Sequence, residues 1–253
     1  MMKTPVGQFD RTIRLMGKNA VDRLGRAKVA VFGLGAVGSF ATEVLARSGV
    51  GYLRLIDFDR VEPSNLNRQL YALHSTLGQK KAKIARDRVV DIHPKCRVEI
   101  CDTFANADSL DTLLSPDLDV VVDAIDGLNA KVNLLVAARQ MDLSVVSSMG
   151  AGGRMDGSLI RTGDISETQV CPLARMVRRR LHRRGVFTGI CCVYSLEPPV
   201  RPSDADLLPD GPVQDPGKGA GHGRQRPPIG TIPWIPGIFG MTLAAEAVRI
   251  ITR

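Results

Sequence analysis

The sequence predicts an α/β fold, with a doubly wound, mainly parallel sheet, appended strands and a C-terminal helix. Three observations indicate it. Short aliphatic runs alternate with helix-like segments from Lys28 onward, as in sheets covered by helices on both faces. A glycine-rich turn, residues 33–38, joins the first run to the first helix. The 253 residues, 44% hydrophobic and 24% charged, can bury a good core in one main domain. This combination is Rossmann-like.

Strands and helices alternate regularly between residues 28 and 148. The strands are aliphatic runs, whereas the helices mix charged and apolar residues at helical spacing. The predicted strands are 28–32, 52–56, 97–101, 118–123 and 143–148, and the helices between them are 39–48, 79–92 and 128–141.

The pattern changes after residue 150. Residues 197–228 hold eight of the fifteen prolines and five glycines, so we expect no regular element there and a segment that moves when nothing is bound. The predicted elements in this half are a strand at 158–165, a basic helix at 172–184, a strand at 190–195 and a final helix at 238–252.

Charge and cysteine content restrict the compartment and the partners. The net charge of +8 favours a polyanionic partner, whereas 4% aromatic residues argue against a broad base-stacking surface. The five cysteines form no C-x-x-C pair and are odd in number, which indicates a reducing compartment. Since residues 1–10 lack a signal sequence, we expect a cytoplasmic protein. Prolines interrupt the apolar stretch 229–245, so we expect no membrane insertion.

The glycine-rich turn is the first candidate binding element. Gly33, Gly35 and Gly38 allow a tight turn in which backbone N–H groups approach phosphate oxygens at a helix N-terminus. The spacing alone also fits a dinucleotide cofactor, and so does Asp57, which ends the second strand and can accept both ribose hydroxyls. An NAD-dependent dehydrogenase therefore remains open at this point.

Further charged residues downstream favour a triphosphate with a magnesium ion. Arg68 can hold phosphate oxygens with two parallel hydrogen bonds, and Asn65 can donate beside it. Lys81 opens a helix, which places an ammonium group and a helix dipole on the same anion. Asp126 follows the fourth strand, at the mouth of the sheet, where a carboxylate can bind magnesium. Asp59 either assists the metal or caps its own loop, and Asp123 is the weaker metal candidate.

The segment from Arg14 to Gly153 resembles the superfamily that activates carboxylates as adenylates. That superfamily includes the ubiquitin-activating-type enzymes and the thiamine (ThiF-like) and molybdopterin (MoeB-like) sulfur-carrier adenylyltransferases. The D-F-D-x-V-x-x-S-N-L-N-R-Q string, residues 57–69, is highly specific for it. Residues 14–17, 150–153 and 192–195 are similar to the tRNA threonylcarbamoyladenosine dehydratase group.

The resemblance implies ATP and Mg2+ as cofactors and specific roles for several residues. Gly35, Asp57, Arg68, Lys81 and Asp126 would serve ATP and magnesium, and Arg14 would reach the phosphate site of a partner subunit in a homodimer. The implied reaction is ATP-dependent dehydration and cyclisation of threonylcarbamoyladenosine beside the tRNA anticodon, through adenylation of its carboxylate. We expect an N-terminal arm and helix (1–27), an ATP-binding Rossmann-like domain (28–166), and residues 167–253 with the basic helix, the proline- and glycine-rich loop and the C-terminal helix, which complete the same domain.

Other functions remain open beside this one. A sulfur-carrier adenylyltransferase is the closest rival, although the chain lacks the two C-x-x-C pairs of that branch. A catalytically silent nucleotide-binding adaptor and a docking sulfur-transfer protein are also left open. So is a cysteine nucleophile, for which Cys171 and Cys192 are candidates, although residues 225–229 lack the cysteine that the family often has there.

The basic helix is the predicted tRNA-binding surface. Its arginines occur at a density that suits a phosphate backbone better than isolated ion pairs. They are Arg175, Arg178, Arg179, Arg180, Arg183 and Arg184.

Overall fold

The computed structural model describes residues 7–200 and 229–253, which form eight α-helices and seven β-strands. The strands are β1 Lys28–Phe32, β2 Tyr52–Ile56, β3 Arg97–Cys101, β4 Val120–Asp123, β5 Ser144–Ser148, β6 Ile160–Asp164 and β7 Cys191–Ser195. The helices are α1 Asp10–Met16, α2 Lys18–Leu24, α3 Gly38–Ser48, α4 Lys81–Ile92, α5 Leu110–Leu113, α6 Leu128–Gln140, α7 Pro172–His182 and α8 Trp234–Thr252.

All seven strands belong to one sheet with the order β3-β2-β1-β4-β5-β7-β6. Every neighbouring pair is parallel except β6 with β7, which places an antiparallel strand at one edge. The predicted fold class is therefore confirmed.

Helices cover both faces of the sheet because successive side chains of a buried strand point to opposite sides. In β1, Val29 and Val31 belong to the core under α3, α4 and α8, whereas Ala30 and Phe32 belong to the core under α5, α6 and α7. The strand order reverses direction between β1 and β4. This reversal opens a crevice at the carboxyl ends of the strands, where open α/β sheets bind ligands.

The structure differs from the predicted elements in several places. The N-terminal arm forms two short helices, because Gly17, with φ at 83°, separates α1 from α2. The short helix α5 was not predicted. The final helix begins at Trp234 rather than at Ile238, since Pro233 precedes it and Pro236 lies in its first turn, where proline is tolerated.

Helix α8 is long and apolar enough to cross a membrane by length and composition, and 56% of its most apolar window is buried within the protein. It packs against α3 and against strands β4, β5 and β7. Its apolar composition is thus explained by its place in the core. Most of the proline-rich segment, residues 201–228, lies outside the described residues.

Candidate active site

The glycine-rich turn connects β1 to α3 at the crevice. Gly33 has φ at 86°, and a Cβ there would lie 2.8 Å from the Ala124 carbonyl oxygen. A Cβ at Gly38 would lie 1.7 Å from the Gly33 carbonyl oxygen, so both positions require glycine for packing. Gly35 differs, since its nearest neighbour would be Gln69 Nε2 at 3.7 Å. The surface beside Gly35 is therefore open to a ligand.

Asp57, at the end of β2, is held against the glycine-rich turn. Its Oδ2 accepts a hydrogen bond from the Leu34 backbone N–H at 2.6 Å, and its Oδ1 accepts one from the Asp59 N–H at 2.8 Å. Burial raises the pKa of Asp57, and the positive charge of Lys81 opposes that effect. The carboxylate is thus fixed beside the turn, as a ribose-binding acid requires.

Lys81 and Asp59 form an ion pair at the same edge of the sheet. Lys81 Nζ lies 3.0 Å from Asp59 Oδ2, and the Lys81 side chain is only 6% exposed, against 47% for Asp59. The Lys81 N–H also donates to the Asp59 carbonyl oxygen at 3.0 Å. Lys81 opens α4 as expected, although the helix starts two residues later than the predicted range 79–92. Asp57, Asp59 and Lys81 therefore lie together.

Arg68 and Asn65 lie in the turn that follows β2. Arg68 Nη1 donates to the Ser64 carbonyl oxygen at 2.7 Å and to Asn67 Oδ1 at 2.9 Å, which fixes one edge of the guanidinium group. Asn65 is buried, and its Oδ1 accepts from the Glu62 N–H at 3.3 Å, so part of its polar capacity holds the turn.

The turn is also joined to neighbouring elements. The Leu70 N–H donates to Ser39 Oγ on α3 at 3.2 Å. Asn67 Nδ2 donates to the Thr231 carbonyl oxygen at 3.1 Å. These contacts hold the turn that carries Arg68 between the helix after the glycine-rich turn and the segment before α8.

Asp126 is exposed, two residues before α6 begins. Within the described ranges, its carboxylate has no hydrogen bond or ion pair. Asp123, by contrast, is fully buried: its Oδ1 accepts from the Ile125 N–H at 3.0 Å, and its Oδ2 lies 2.6 Å from Lys131 Nζ. Asp123 thus caps the turn that leads to Asp126, while only Asp126 is free to meet a ligand.

One of the six arginines predicted to bind tRNA, Arg178, is hydrogen-bonded within the protein. Arg178 Nη1 donates to Thr168 Oγ1 at 2.8 Å, to the Thr168 carbonyl at 2.7 Å and to the Ile165 carbonyl at 3.3 Å. These bonds set the part-buried Arg178 apart from the other five arginines, and its role in tRNA binding stays a prediction. Its guanidinium group anchors α7 to the loop that follows β6.

The helix also ends earlier than residue 184. Gly185, with φ at 77°, allows the chain to reverse, and its N–H donates to the His182 carbonyl oxygen. Arg183 and Arg184 consequently lie just beyond α7. Arg175, Arg179 and Arg183 are exposed at four-residue spacing and form no ion pair within the described part of the chain.

Arg180 and Arg184 contact helix α6. Arg184 Nη1 donates to Asn133 Oδ1 at 2.7 Å, and Arg180 Nη1 donates to Asn129 Oδ1. Both pairs are four residues apart, so the two guanidinium groups lie along α6, which begins two residues after Asp126.

Arg14 lies on α1, the most exposed part of the described chain near the N-terminus. The adjacent Leu15 is 87% exposed, and no residue of α1 is buried. The single subunit does not bring Arg14 to the crevice residues through any described contact.

Comparison with known proteins identifies the family of this crevice. Residues 9–253, nearly the whole chain, match the ThiF family. The chain belongs to the ThiF family.

Its relatives include several proteins named as tRNA threonylcarbamoyladenosine dehydratases. The tRNA threonylcarbamoyladenosine dehydratase of Bacillus subtilis is 39% identical over 76% of this chain and 76% of its own length. The enzyme of the same name from Escherichia coli is 37% identical over 77% and 75%. The crystal structure of the E. coli enzyme with ATP superposes with a TM-score of 0.83 at 31% identity, covering 96% of this chain and 93% of that one. The predicted resemblance to this group is confirmed.

The alternative of a cysteine nucleophile can be compared with the burial of the cysteines. Burial raises the pKa of Cys96 and of Cys191 to about 11, and it raises the pKa of Cys192 well above the usual thiol value. Cys171 is only 2% exposed. Since the thiolate is the nucleophile, the shifted thiols are poorly suited to attack an adenylate.

Sequence reasoning missed the buried network behind this ThiF-family crevice. Lys131 is fully buried, and its Nζ donates to Asp123 and, at 2.9 Å, to the Ser148 carbonyl oxygen. Ser147 Oγ donates to Asp123 Oδ2 at 2.6 Å. The available signal was an acidic residue ending an aliphatic strand, followed eight residues later by the single lysine of the next helical segment.

Proposed function

We propose that this ThiF-family protein is an ATP-dependent tRNA threonylcarbamoyladenosine dehydratase. The observation that carries the proposal is the cluster of Asp57, Asp59 and Lys81 beside the open surface at Gly35, in the crevice between β1 and β4. Such a cluster suits a nucleoside triphosphate, and the similarity to the named dehydratases supports the choice of substrate.

In this proposal each residue of the crevice has one task. Asp57 accepts the ribose hydroxyls, and the backbone beside Gly35 contacts the phosphates. Lys81, released from part of its pairing with Asp59, and the free edge of the Arg68 guanidinium bind the phosphate oxygens. Positive groups arranged in advance around the α-phosphorus stabilise the charge that develops there.

The reaction has two displacements. The threonyl carboxylate attacks the α-phosphorus of ATP, and pyrophosphate leaves. The neighbouring carbamoyl group then attacks the activated acyl carbon, AMP leaves with one of the original carboxylate oxygens, and a ring is formed. The net loss from the nucleoside is one water. Because both reacting groups belong to the same nucleoside, proximity replaces a dedicated protein nucleophile.

A magnesium ion fits the residues present. Among the described residues no group of three or more His, Cys, Asp or Glu side chains could hold a metal by itself. One free carboxylate, Asp126, together with phosphate oxygens, is nevertheless the usual donor set for Mg2+. When bound, the ion would neutralise phosphate charge, and the chain would supply only Asp126 to hold it.

We also propose a cytoplasmic homodimer in which Arg14 of one subunit reaches the phosphate site of the other. The exposure of α1 supports this, since its Arg14 and Leu15 have no partner surface within the described chain. Mixing Arg14→Ala with Lys81→Met subunits tests it. Hybrid dimers regain one intact site in this arrangement, whereas sites complete within one subunit would leave the Arg14→Ala subunits active before mixing. Docking of a sulfur-transfer protein stays a prediction.

The exposed arginines Arg175, Arg179 and Arg183 and the α6-facing Arg180 and Arg184 form the proposed tRNA surface. Replacing the three exposed ones by glutamine lowers tRNA affinity and flattens its salt dependence, while ATP affinity is retained. If the salt dependence of tRNA affinity were unchanged, these three arginines would not be part of the tRNA surface.

A sulfur-carrier adenylyltransferase is the alternative activity, and one assay separates the two. We expect AMP release from ATP that depends on tRNA carrying threonylcarbamoyladenosine and is absent with unmodified tRNA. AMP release driven only by a carrier protein ending in Gly-Gly would overturn the substrate assignment. Binding of a nicotinamide cofactor without binding of ATP would instead favour a dehydrogenase. Binding of a nucleotide without turnover would favour an adaptor.

A further inference from the structure

We propose that the groove between α6 and α7 binds a backbone phosphate directly flanking the modified nucleoside. The inference rests on the proposed function and defines how the RNA is held beside the crevice. The groove has a volume of about 530 Å³. Its lining residues are Asn129, Val132, Asn133, Arg180, Arg183 and Arg184.

The groove is built to present guanidinium groups. The side-chain Oδ1 of Asn133 accepts one N–H of Arg184, and the side-chain Oδ1 of Asn129 accepts one N–H of Arg180. A guanidinium group has five N–H donors, so each arginine is oriented by α6 and keeps donors for a ligand. Such oriented donors can hold a phosphate with two parallel hydrogen bonds.

The positive charge of the groove is not neutralised by the protein. Over residues 7–200 and 229–253, Arg180, Arg183 and Arg184 form no ion pair with a carboxylate. The other lining residues are two asparagines and a valine, which carry no charge. Three uncompensated cations around one concave surface attract an anion.

The position of the groove identifies which phosphate it takes. Asn129 lies in the first turn of α6, immediately after the Asp126-Gly127 turn at the crevice. A ligand held by Arg180 is therefore beside the reaction site, whereas Arg175 and Arg179 are exposed on α7 and do not line the groove. Arg184 also lines a second groove of about 400 Å³ that continues toward Arg139 and Phe187. The arginines of the two grooves thus form a line of positive charge that runs away from the crevice along α6. A nucleic acid strand bound beside the crevice could follow this line.

The test combines a protein change with a phosphate change. The protein variant is Arg180→Gln with Arg184→Gln, and glutamine keeps hydrogen-bonding capacity while removing charge. The substrates are tRNAs, assembled by ligation, in which a neutral methylphosphonate replaces the phosphate on the 5′ or the 3′ side of the modified adenosine. The measurement is kcat/KM for the cyclised product.

We expect the variant and the substituted tRNA each to lower kcat/KM by roughly 10-fold or more, as the loss of a charge-assisted hydrogen bond predicts. For at least one of the two positions the combined loss should not exceed the larger single loss, because both changes remove the same contact. ATP affinity, measured by nucleotide titration, shows that the variant is folded.

Independent, multiplicative losses at both positions would overturn the inference. So would an unchanged kcat/KM of the variant with unsubstituted tRNA. The matched control is Arg86→Gln, a partly exposed arginine on α4 that pairs with Asp87 and lies at the other end of the sheet, for which we expect no coupling. A failure of the proposed function looks different, since the unaltered protein would then cyclise no tRNA at all.

Discussion

Lys131 Nζ lies 2.6 Å from Asp123 Oδ2, and both side chains are fully buried. The pair joins β4 to α6, and the hydrogen bonds to Ser147 and to the Ser148 carbonyl extend it to β5. Because Asp123 also caps the turn that leads to Asp126, the network supports the part of the crevice where the metal ligand is proposed.

Lys131→Met leaves the Asp123 carboxylate buried without its cation. We expect the free energy of unfolding to fall by about 3–5 kcal/mol, the usual cost of breaking a buried ion pair. Urea denaturation measures it. Combining Lys131→Met with Asp123→Asn should recover part of the loss, since the buried charge is then removed. A loss below about 1 kcal/mol for Lys131→Met would show that the pair contributes little.

Two adjacent lysines offer a matched test of the phosphate site. Lys81 is buried against Asp59 in the crevice, whereas Lys80 pairs at 2.7 Å with Asp102 and is 35% exposed. Lys81→Met should slow ATP-dependent AMP formation by about 100-fold or more, as expected for the loss of a group that stabilises developing charge. Lys80→Met should change the rate by less than about 3-fold. Equal effects of the two variants would contradict the assignment.

Two glycines of the glycine-rich turn have different roles, one in packing and one in ligand binding. Gly35→Ala places a methyl group 3.7 Å from Gln69 Nε2, an ordinary contact, so we expect a folded protein with weakened ATP binding. Gly38→Ala places it 1.7 Å from the Gly33 carbonyl oxygen, so we expect lost stability. Thermal unfolding and isothermal titration with ATP distinguish the two. Full ATP affinity in Gly35→Ala would exclude this turn from the phosphate site.

Glu43 gives the fold a pH-dependent contribution. Burial alone would raise the pKa of Glu43, but hydrogen bonds from Arg88 and Arg47 outweigh it and lower the pKa below 4.5. A lowered pKa means stability that is present above the unfolded-state value and lost as the pH falls through the folded one.

Glu43→Gln should therefore cost about 1 kcal/mol at pH 7, a modest value because both arginines are half exposed to solvent. The difference from the unaltered protein should shrink as the pH falls below 4.5. Urea titrations at several pH values measure it. A difference that stays constant into the acid range would assign the effect to packing instead.

Much of the fold could be predicted because local patterns determine it. Strands β1, β2 and β3 match their predicted bounds, since each is an alternating or apolar run that ends at a polar residue or a glycine. The start of α8 could not be placed, because prolines break a helix interior but are accepted in its first turn. The division of the chain at residues 27 and 166 stays a prediction.

The site could be predicted in part, for a physical reason. Carboxyl ends of parallel strands meet at one edge, so Asp57, Asp59 and Lys81 could be brought together from their positions alone. Long-range side-chain pairs leave no local pattern. This is why the burial of Lys131 and the commitment of Arg178 to Thr168 became visible only in the structure.

The central claim is that the crevice activates the carboxylate of threonylcarbamoyladenosine with ATP. The most direct test is mass spectrometry of tRNA nucleosides after incubation of the modified tRNA with the protein and ATP. We predict a nucleoside lighter by one water, with AMP and pyrophosphate formed in equal amounts, and a much slower appearance of all three products with Lys81→Met. An unchanged nucleoside mass, in a preparation that binds both ATP and tRNA, would contradict the account.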